Sequence, residues 1–284
     1  MIAFSLWSLH IYRYWIFYFI GFLIGYFFLK HLGHTNFLSH NPKRNKLQQL
    51  LRHNTDDILI AIVLWWIIGG RLGHVLIYDL KYFIHNPQDI FAIRKWGMSF
   101  IGGMIGGLWW LYILKRIKKL SRKEFLLLLD TIVIVVPIGI MLWRIWNFLN
   151  QELYGILVDP NFRQMPWRLI HLFKSLQLFH NYPLAGEWLR INTNFLASFF
   201  EWFLGFIILF SLHIKRRKTK HIKPWFLVSI FLIRYSLVRF LLEYIRQDSQ
   251  SEFIWRFSKS QRFFLWFFAL GLVLLIIIKK HHDQ

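Results

Sequence analysis

Arg144, Asn147 and Gln151 stand at i, i+3 and i+7 in the stretch WRIWNFLNQELYG, with Asn150 beside them and Glu152 and Gly155 just beyond. On a helix, that spacing puts a guanidinium and two carboxamides on one face. A second stretch, RYSLVRFLLEYIRQD, carries Tyr235, Arg239 and Glu243 at i, i+4 and i+8, with Arg246 one turn further. Guanidinium groups stay charged when desolvated and present paired N–H donors that match the oxygens of a phosphate. Two such faces turned toward one another would grip a phosphate and stabilise negative charge as it develops. Ordinary capping needs one or two polar side chains, so this much polarity at the end of an apolar run calls for a further purpose.

The elements that must hold these faces are apolar. Of 284 residues, 56% are hydrophobic and 20% aromatic, more than soluble domains carry, so the solvent for most of the chain is lipid. Apolar runs lie near 12–29, 57–78, 98–114, 125–146, 196–214, 225–243 and 262–278. Each is close to the roughly 20 residues that cross about 30 Å of hydrocarbon. The predicted fold is therefore all-α: a polytopic membrane protein of seven transmembrane helices, forming a single integral-membrane domain over 1–284. The longest connection, 148–195, is rich in Trp, Phe and Leu without one clean spanning run. It is expected to form an extracytoplasmic cap of short interfacial helices. The first run is too long for a cleavable signal peptide and lacks its flanking signals. No internal repeat supports an inverted-repeat transporter.

The formal charge of +21 comes from 35 Lys and Arg against 14 Asp and Glu. Basic residues interleaved with apolar runs follow the pattern of cytoplasmic loops, so no nucleic-acid partner is expected. The loops 30–55, 115–123 and 215–223, with the tail beyond 278, hold 19 Lys and Arg; the loops 79–97, 148–195 and 244–261 hold 10, although together they are longer. This bias predicts the N-terminus outside and the C-terminus in the cytoplasm. The runs KRIKKLSRK and KRRKTKHIK read as solvated inside loops lying against anionic headgroups. With no cysteine in the chain, any thiol chemistry must use a thiol from elsewhere. No cluster has metal-ligand spacing, His281 and His282 read as a solvated tail, and no metal or cofactor is expected.

An arginine at mid-membrane costs about 2.5–3.5 kcal/mol even on lenient insertion scales, so each one inside a span is a functional candidate. Arg13, Arg71, Arg144, Arg234 and Arg239 qualify. In the orientation just derived, Arg71, Arg144 and Arg239 fall in the outer half, and Arg13 and Tyr14 open the first span. The competing readings are an intrahelical pair for Arg239 and Glu243 and snorkelling to headgroups for Arg144 and Arg13. Snorkelling does not account for the Asn and Gln that accompany Arg144.

At these residues the chain resembles the bacterial prolipoprotein diacylglyceryl transferase family. WRIWNFLNQELYG resembles the family signature, approximately G-R-x-x-N-F-x-N-x-E-x-x-G, at Arg144, Asn147, Phe148, Asn150, Glu152 and Gly155. YWIFYFIGF at Tyr14, GGRLGHVLIY around Arg71, GMSFIGG and YSLVRFLLEYIRQD resemble further family segments in the same order, so the likeness spans nearly the whole chain. It implies a seven-helix membrane enzyme of the bacterial cell (inner) membrane. That enzyme would move the diacylglyceryl group of phosphatidylglycerol to the lipobox cysteine of a prolipoprotein, forming a thioether and releasing glycerol 1-phosphate. The nucleophile would then belong to the substrate, in keeping with a cysteine-free chain. The implied partners are phosphatidylglycerol, prolipoprotein signal peptides and the bilayer.

On this resemblance Arg144 and Arg239 are the catalytic pair, with the headgroup between them. Tyr14, Arg71, Asn147, Asn150, Glu152, Gly155, Tyr235, Glu243 and Arg246 are the substrate-binding residues. Three positions depart from the family pattern. The histidine of the family's G-M-S-F-H-G-G, proposed there as a base, is Ile101; a tyrosine is His74; and the glycine before the signature arginine is Trp143. Ile101 cannot move a proton, which leaves three accounts. A base is dispensable, His74 serves as the base, or the chain is an inactive homologue that binds phosphatidylglycerol or lipoprotein signal peptides. From a different class, an unrelated seven-helix transporter or receptor would use the same cluster as a ligand site, against which stands the shortage of mid-span proton-relay carboxylates.

Overall fold

The computed structural model describes residues 2–6, 9–34, 46–77, 79–91, 98–159, 165–183, 186, 188–219, 223–247 and 257–280. Most of them are helical, and the apolar runs of the sequence coincide with helices. Among the described residues, four helical segments are long and apolar enough to cross a membrane: Thr55–Ile77, Arg122–Leu149, Thr193–Arg216 and Ser260–Lys280. The chain divides into two compact units, Ile24–Phe125 and Met1–Leu23 with Leu126–Gln284.

An antiparallel hairpin of β1 (Ile2–Leu6) and β2 (Leu9–Tyr12) leads into α1 (Arg13–His34). Arg13 and Tyr14 form the first turn of α1, and their side chains lie outside the described residues.

Within Ile24–Phe125 follow α2 (Lys46–His53), α3 (Thr55–Ile77), α4 (Leu80–His85), a 3-10 turn (Pro87–Phe91) and α5 (Phe100–Ile117). Glycines let α3 and α5 approach backbone to backbone: a methyl on Gly73 would lie 2.7 Å from Gly102 Cα. Lipid-embedded helices associate through this kind of small-residue contact, since no hydrophobic force separates them from lipid. Ser99 reinforces it. Its N–H donates to Gly70 O at 2.8 Å, and its Oγ caps α5 by accepting from Gly102 N–H at 3.1 Å. GGRLGH and GMSFIGG, distant in sequence, are thereby packed together.

Helix α6 (Arg122–Leu149) opens with a reciprocal cap, Ser121 N–H to Glu124 Oε2 at 2.8 Å and Glu124 N–H to Ser121 Oγ at 3.2 Å. After it come α7 (Trp167–Ser175) and the antiparallel strands β3 (Phe179–Asn181) and β4 (Leu189–Ile191). Among its described residues the segment 148–195 carries the short helix α7 and the β3–β4 hairpin before α8 begins, so strands join the short helices that the sequence led one to expect. Phe179 and Ile191 pair across the strands and close with Val158 into a small core of their own. Next, α8 (Thr193–Ala197) runs through a π-helical turn (Ser198–Phe203) into α9 (Leu204–Thr219), and α10 (Phe226–Glu243) and α11 (Lys259–Lys280) complete the chain. At the start of α11, Ser258 and Gln261 make a second reciprocal cap, and Gln261 Nε2 also donates to Phe240 O of α10 at 3.1 Å.

A buried carboxylate ties three of these helices together. Asp130 on α6 pairs with Arg216 of α9 at 3.1 Å and accepts the Val228 N–H of α10 at 3.0 Å. That N–H is one of the first-turn donors that a helix cannot satisfy itself, and Trp225 at the cap position offers no side-chain acceptor.

Candidate active site

The last two turns of α6 carry Arg144 and Asn147, both buried. Arg144 reaches Glu201, which is fully buried in the π-helical turn, through three contacts of 3.3–3.4 Å. Glu201 Oε1, one of the two oxygens that Arg144 contacts, also meets Arg239 Nη1 at 3.4 Å. Arg239 Nη2 lies 3.4 Å from Glu243 Oε2, which in turn meets Arg246 Nη1 at 3.2 Å. One line of alternating charge, Arg144, Glu201, Arg239, Glu243 and Arg246, therefore connects α6, the π-helical turn and α10.

Glu201 is the member that sequence reasoning missed. Its signal was present, since a lone carboxylate in the apolar run FFEWF deserves the same suspicion as a lone arginine. Its inward position depends on the wider π turn, which simple helical spacing does not represent. Arg234, expected as a mid-span candidate, donates Nη1 to the Glu201 backbone carbonyl at 3.2 Å. Gly205 leaves room for that guanidinium, where a methyl would collide with it. Arg234 thus braces the backbone from which the Glu201 side chain projects.

Among the described residues, three guanidinium groups meet two carboxylates in this line, and the Arg234 guanidinium lies on the Glu201 carbonyl, so positive charge outweighs negative there. Donors are also in surplus: Asn147 Nδ2 and Arg239 Nε are buried and have no acceptor among the described residues, and Ser236 Oγ is likewise unpartnered there. The ion-pair distances exceed the 2.7–2.9 Å of tight charge-assisted bonds, so the carboxylates hold the arginines loosely. Tyr235, one turn before Arg239, stacks on Phe231 and meets the edge of Phe264. The same Phe264 ring faces the Arg239 guanidinium at 5.2 Å, a contact that tolerates a desolvated cation. Such a cluster of donors suits an anion with several oxygens.

The signature turn after α6 is strained and heavily tied. Gln151 and Leu153 have φ of 57° and 54°, so the helix ends at Leu149 and Gln151 leaves the face that its spacing predicted. Non-glycine residues hold such angles only where surrounding contacts over-determine them. Here Asn194 Nδ2 donates to Glu152 O at 2.7 Å, Thr193 Oγ1 donates to Leu153 O, and Gln247 N–H donates to Tyr154 O at 3.1 Å. Gly155 pairs with Arg246, and a methyl on it would lie 2.6 Å from Ile191 O and 2.9 Å from Ile245 O. Only glycine permits this crossing, which fixes the backbone of Arg246 against the signature turn. Asn150 and Glu152 pair with each other at 3.1 Å on the exposed side.

Aromatic rings support the turn from below. Phe148, His180, Tyr182 and Tyr154 form a chain of ring contacts of 4.8–6.2 Å, with the Arg190 guanidinium 4.6 Å from the Tyr154 ring. Tyr182 donates to Asn192 Oδ1 at 3.0 Å, and burial pushes its phenol up to about 12. Burial, with the Lys174 charge adding to it, lowers the His180 pKa below the usual imidazole value.

The remaining candidates belong to Ile24–Phe125. Arg71, buried on α3, donates Nε to Ile90 O at 2.6 Å and Nη2 to Asp89 O, with Phe83 5.0 Å from its guanidinium. His74, one turn on, sets Nε2 3.5 Å from Asp79 Oδ2 and its ring edge-on to Phe83. A carboxylate at that nitrogen is the usual means of orienting an imidazole. Ile101 is half-buried on α5.

The sequence model of the prolipoprotein diacylglyceryl transferase family matches residues 1–277 of this chain. A protein of Coxiella burnetii (strain RSA 331 / Henzerling II) is 32% identical over 255 residues, covering 89% of this chain and 84% of its own length. Proteins of Desulfotalea psychrophila (strain LSv54 / DSM 12343) and Rickettsia africae (strain ESF-5) are each 34% identical over 89% of this chain and 83% and 86% of their own lengths. All three carry the name phosphatidylglycerol–prolipoprotein diacylglyceryl transferase.

Proposed function

Because this chain belongs to the prolipoprotein diacylglyceryl transferase family, we propose that it transfers the diacylglyceryl group of phosphatidylglycerol to the lipobox cysteine of prolipoproteins. The observation that carries this reading to the Arg144 and Arg239 site is two buried arginines sharing one carboxylate, with buried donors on Asn147 and Arg239 that have no acceptor among the described residues. A phosphodiester has one negative charge and several acceptor oxygens. On arrival it takes the place of the Glu201 carboxylate between the two arginines. The peptide thiolate then attacks the glycerol carbon bearing the phosphate; the C–S bond forms as the C–O bond breaks, and the electron pair leaves on the phosphate oxygen. The departing glycerol phosphate gains a second negative charge. Arginines aimed at it therefore bind the transition state more strongly than the ground state, which is the condition for catalysis.

Among the substrate-binding residues, Asn147 offers its amide donor to the phosphate, Tyr235 packs on the Phe264 ring that faces Arg239, and Glu243 and Arg246 continue the ion-pair line from Arg239. Asn150, Glu152 and Gly155 shape the adjoining turn, and Tyr14 and Arg71 complete substrate binding. The thiol proton needs an acceptor, and His74, with Asp79 Oδ2 3.5 Å from its Nε2, is our candidate base in place of the absent histidine at Ile101. The orientation follows the distribution of basic residues: seven spans in the bacterial inner membrane, N-terminus outside, with 148–195 as an extracytoplasmic cap where signal peptides arrive. The deciding experiment combines purified protein, phosphatidylglycerol and a lipobox peptide, with mass spectrometry of the peptide thiol. A gain of one diacylglyceryl mass supports the reading; an unmodified thiol with lipid retained on the protein would reduce the chain to a lipid binder.

A further inference from the structure

Away from this site, within Ile24–Phe125, a cavity of about 500 Å3 opens where α2, the end of α5 and the head of α6 meet. Its walls carry Lys46, Lys115, Arg116 and Lys119, with Glu124 the one carboxylate among the described residues. Glu124 is already engaged by the Ser121 N–H in the cap of α6. Lys46 Nζ donates to Lys119 O at 3.2 Å, tying α2 to the turn. The Lys115 ammonium is held 5.3 Å from the Phe125 ring and 5.6 Å from that of Tyr112. Four cations therefore share a cavity with one carboxylate, an excess of three positive charges. Lys46, Arg116 and Lys119 are exposed and Lys115 is half-buried, so salt screens this positive field, but an anion seated among them meets all four.

The surroundings identify the class of anion. Tyr112 of α5, whose ring lies 5.6 Å from the Lys115 ammonium, and Trp109, stacked on it, are exposed at 44% and 55%, an aromatic flank of the kind that lies at a membrane interface. A free phosphate has no use for such a flank, whereas the chains below a phospholipid headgroup do. We propose that this cavity binds the phosphate of an anionic phospholipid headgroup, as a resident lipid and not the one consumed in the reaction. On the orientation proposed above it faces the inner leaflet, where anionic headgroups attract basic side chains.

The test needs no turnover. The full chain is reconstituted in phosphatidylcholine nanodiscs doped with increasing phosphatidylserine, and apparent affinity is read from the rise in melting temperature. Lys46→Gln with Arg116→Gln is compared with wild type and with Lys279→Gln and Lys280→Gln, the same charge change at the end of α11. The cavity pair is expected to weaken the response roughly 25-fold, Arg116→Gln alone roughly fivefold, and the α11 pair less than twofold. If the α11 pair weakens it as much, the attraction is diffuse and the site is refuted. Equal stabilisation by millimolar inorganic phosphate would refute the lipid assignment. A response unchanged in Arg116→Gln refutes the proposal even if the double variant fails to fold.

Discussion

Glu201 between Arg144 and Arg239 is a resident anion, and its removal separates holding the arginines apart from binding substrate. In Glu201→Gln, two buried guanidinium groups lose their shared carboxylate, and breaking a buried pair in this way costs roughly 3–5 kcal/mol. An entering phosphodiester restores the missing charge. Lipid-free Glu201→Gln should therefore melt well below wild type, and phosphatidylglycerol should raise its melting temperature more than it raises that of wild type. Equal lipid shifts in both proteins would show that lipid and Glu201 do not compete for the arginines. Arg144→Lys and Arg239→Lys keep the charge but lose the paired donors, so each should lower transfer by at least roughly tenfold; full activity in both would remove the clamp.

Protons provide a second test at this scale. The His180 pKa is lowered in the folded protein because burial disfavours the imidazolium. Above the ordinary imidazole value near 6.5 both folded and unfolded chains carry it neutral, and its contribution is intact. As pH falls from there through the folded pKa, the unfolded chain binds the proton first and stability is lost. Melting temperature should thus drop more between pH 7.5 and 5.5 in wild type than in His180→Phe, which preserves the ring contact with Phe148. Parallel drops would mean that His180 does not couple to folding.

At the scale of elements, what could be read from the sequence depended on whether regular spacing applied. The arginines were legible because a cation in an apolar run is costly wherever it points. Arg239 and Glu243 were legible as partners because α10 is regular there, and Arg246 follows in the turn just past its end, three residues from Glu243. Glu201 was not, because the π turn breaks the 3.6-residue period that such a reading assumes. Gln151 was assigned to the face of Arg144 because nothing local announces that a non-glycine residue will turn left-handed; Thr193 and Asn194, some 40 residues on, hold that turn. Asp130 was passed over for a similar reason, its partners being a side chain on α9 and a backbone N–H on α10. The brace on the π turn makes a prediction. Arg234→Gln and Gly205→Val should both shift Glu201, and both should raise KM for phosphatidylglycerol while Arg234→Lys recovers most of the loss. An effect on protein yield with KM unchanged would make Arg234 structural only.

For the whole molecule, function turns on which membrane face receives the arginine line, because lipobox cysteines are presented outside the cytoplasm. The basic-residue count is the argument: 19 Lys and Arg in one set of loops against 10 in the longer set. Since the native chain has no cysteine, single cysteines report position without background. Placed at Thr35, Lys119 or Thr219, a cysteine should be shielded from an impermeant thiol reagent in intact cells; placed at Asn161, it should be labelled. Thr35 and Asn161 lie outside the described residues, so these two positions test the orientation from sequence alone, while Lys119 ties it to the basic cavity. Spheroplast lysis then supplies the control, because the shielded positions must become reactive. Labelling at Lys119 with none at Asn161 would invert the orientation. It would set the signature turn, which follows directly on α6 (Arg122–Leu149), on the cytoplasmic side. An arginine line there could not meet an exported thiol, and the transfer reaction would have to be abandoned for this site even if lipid binding survived.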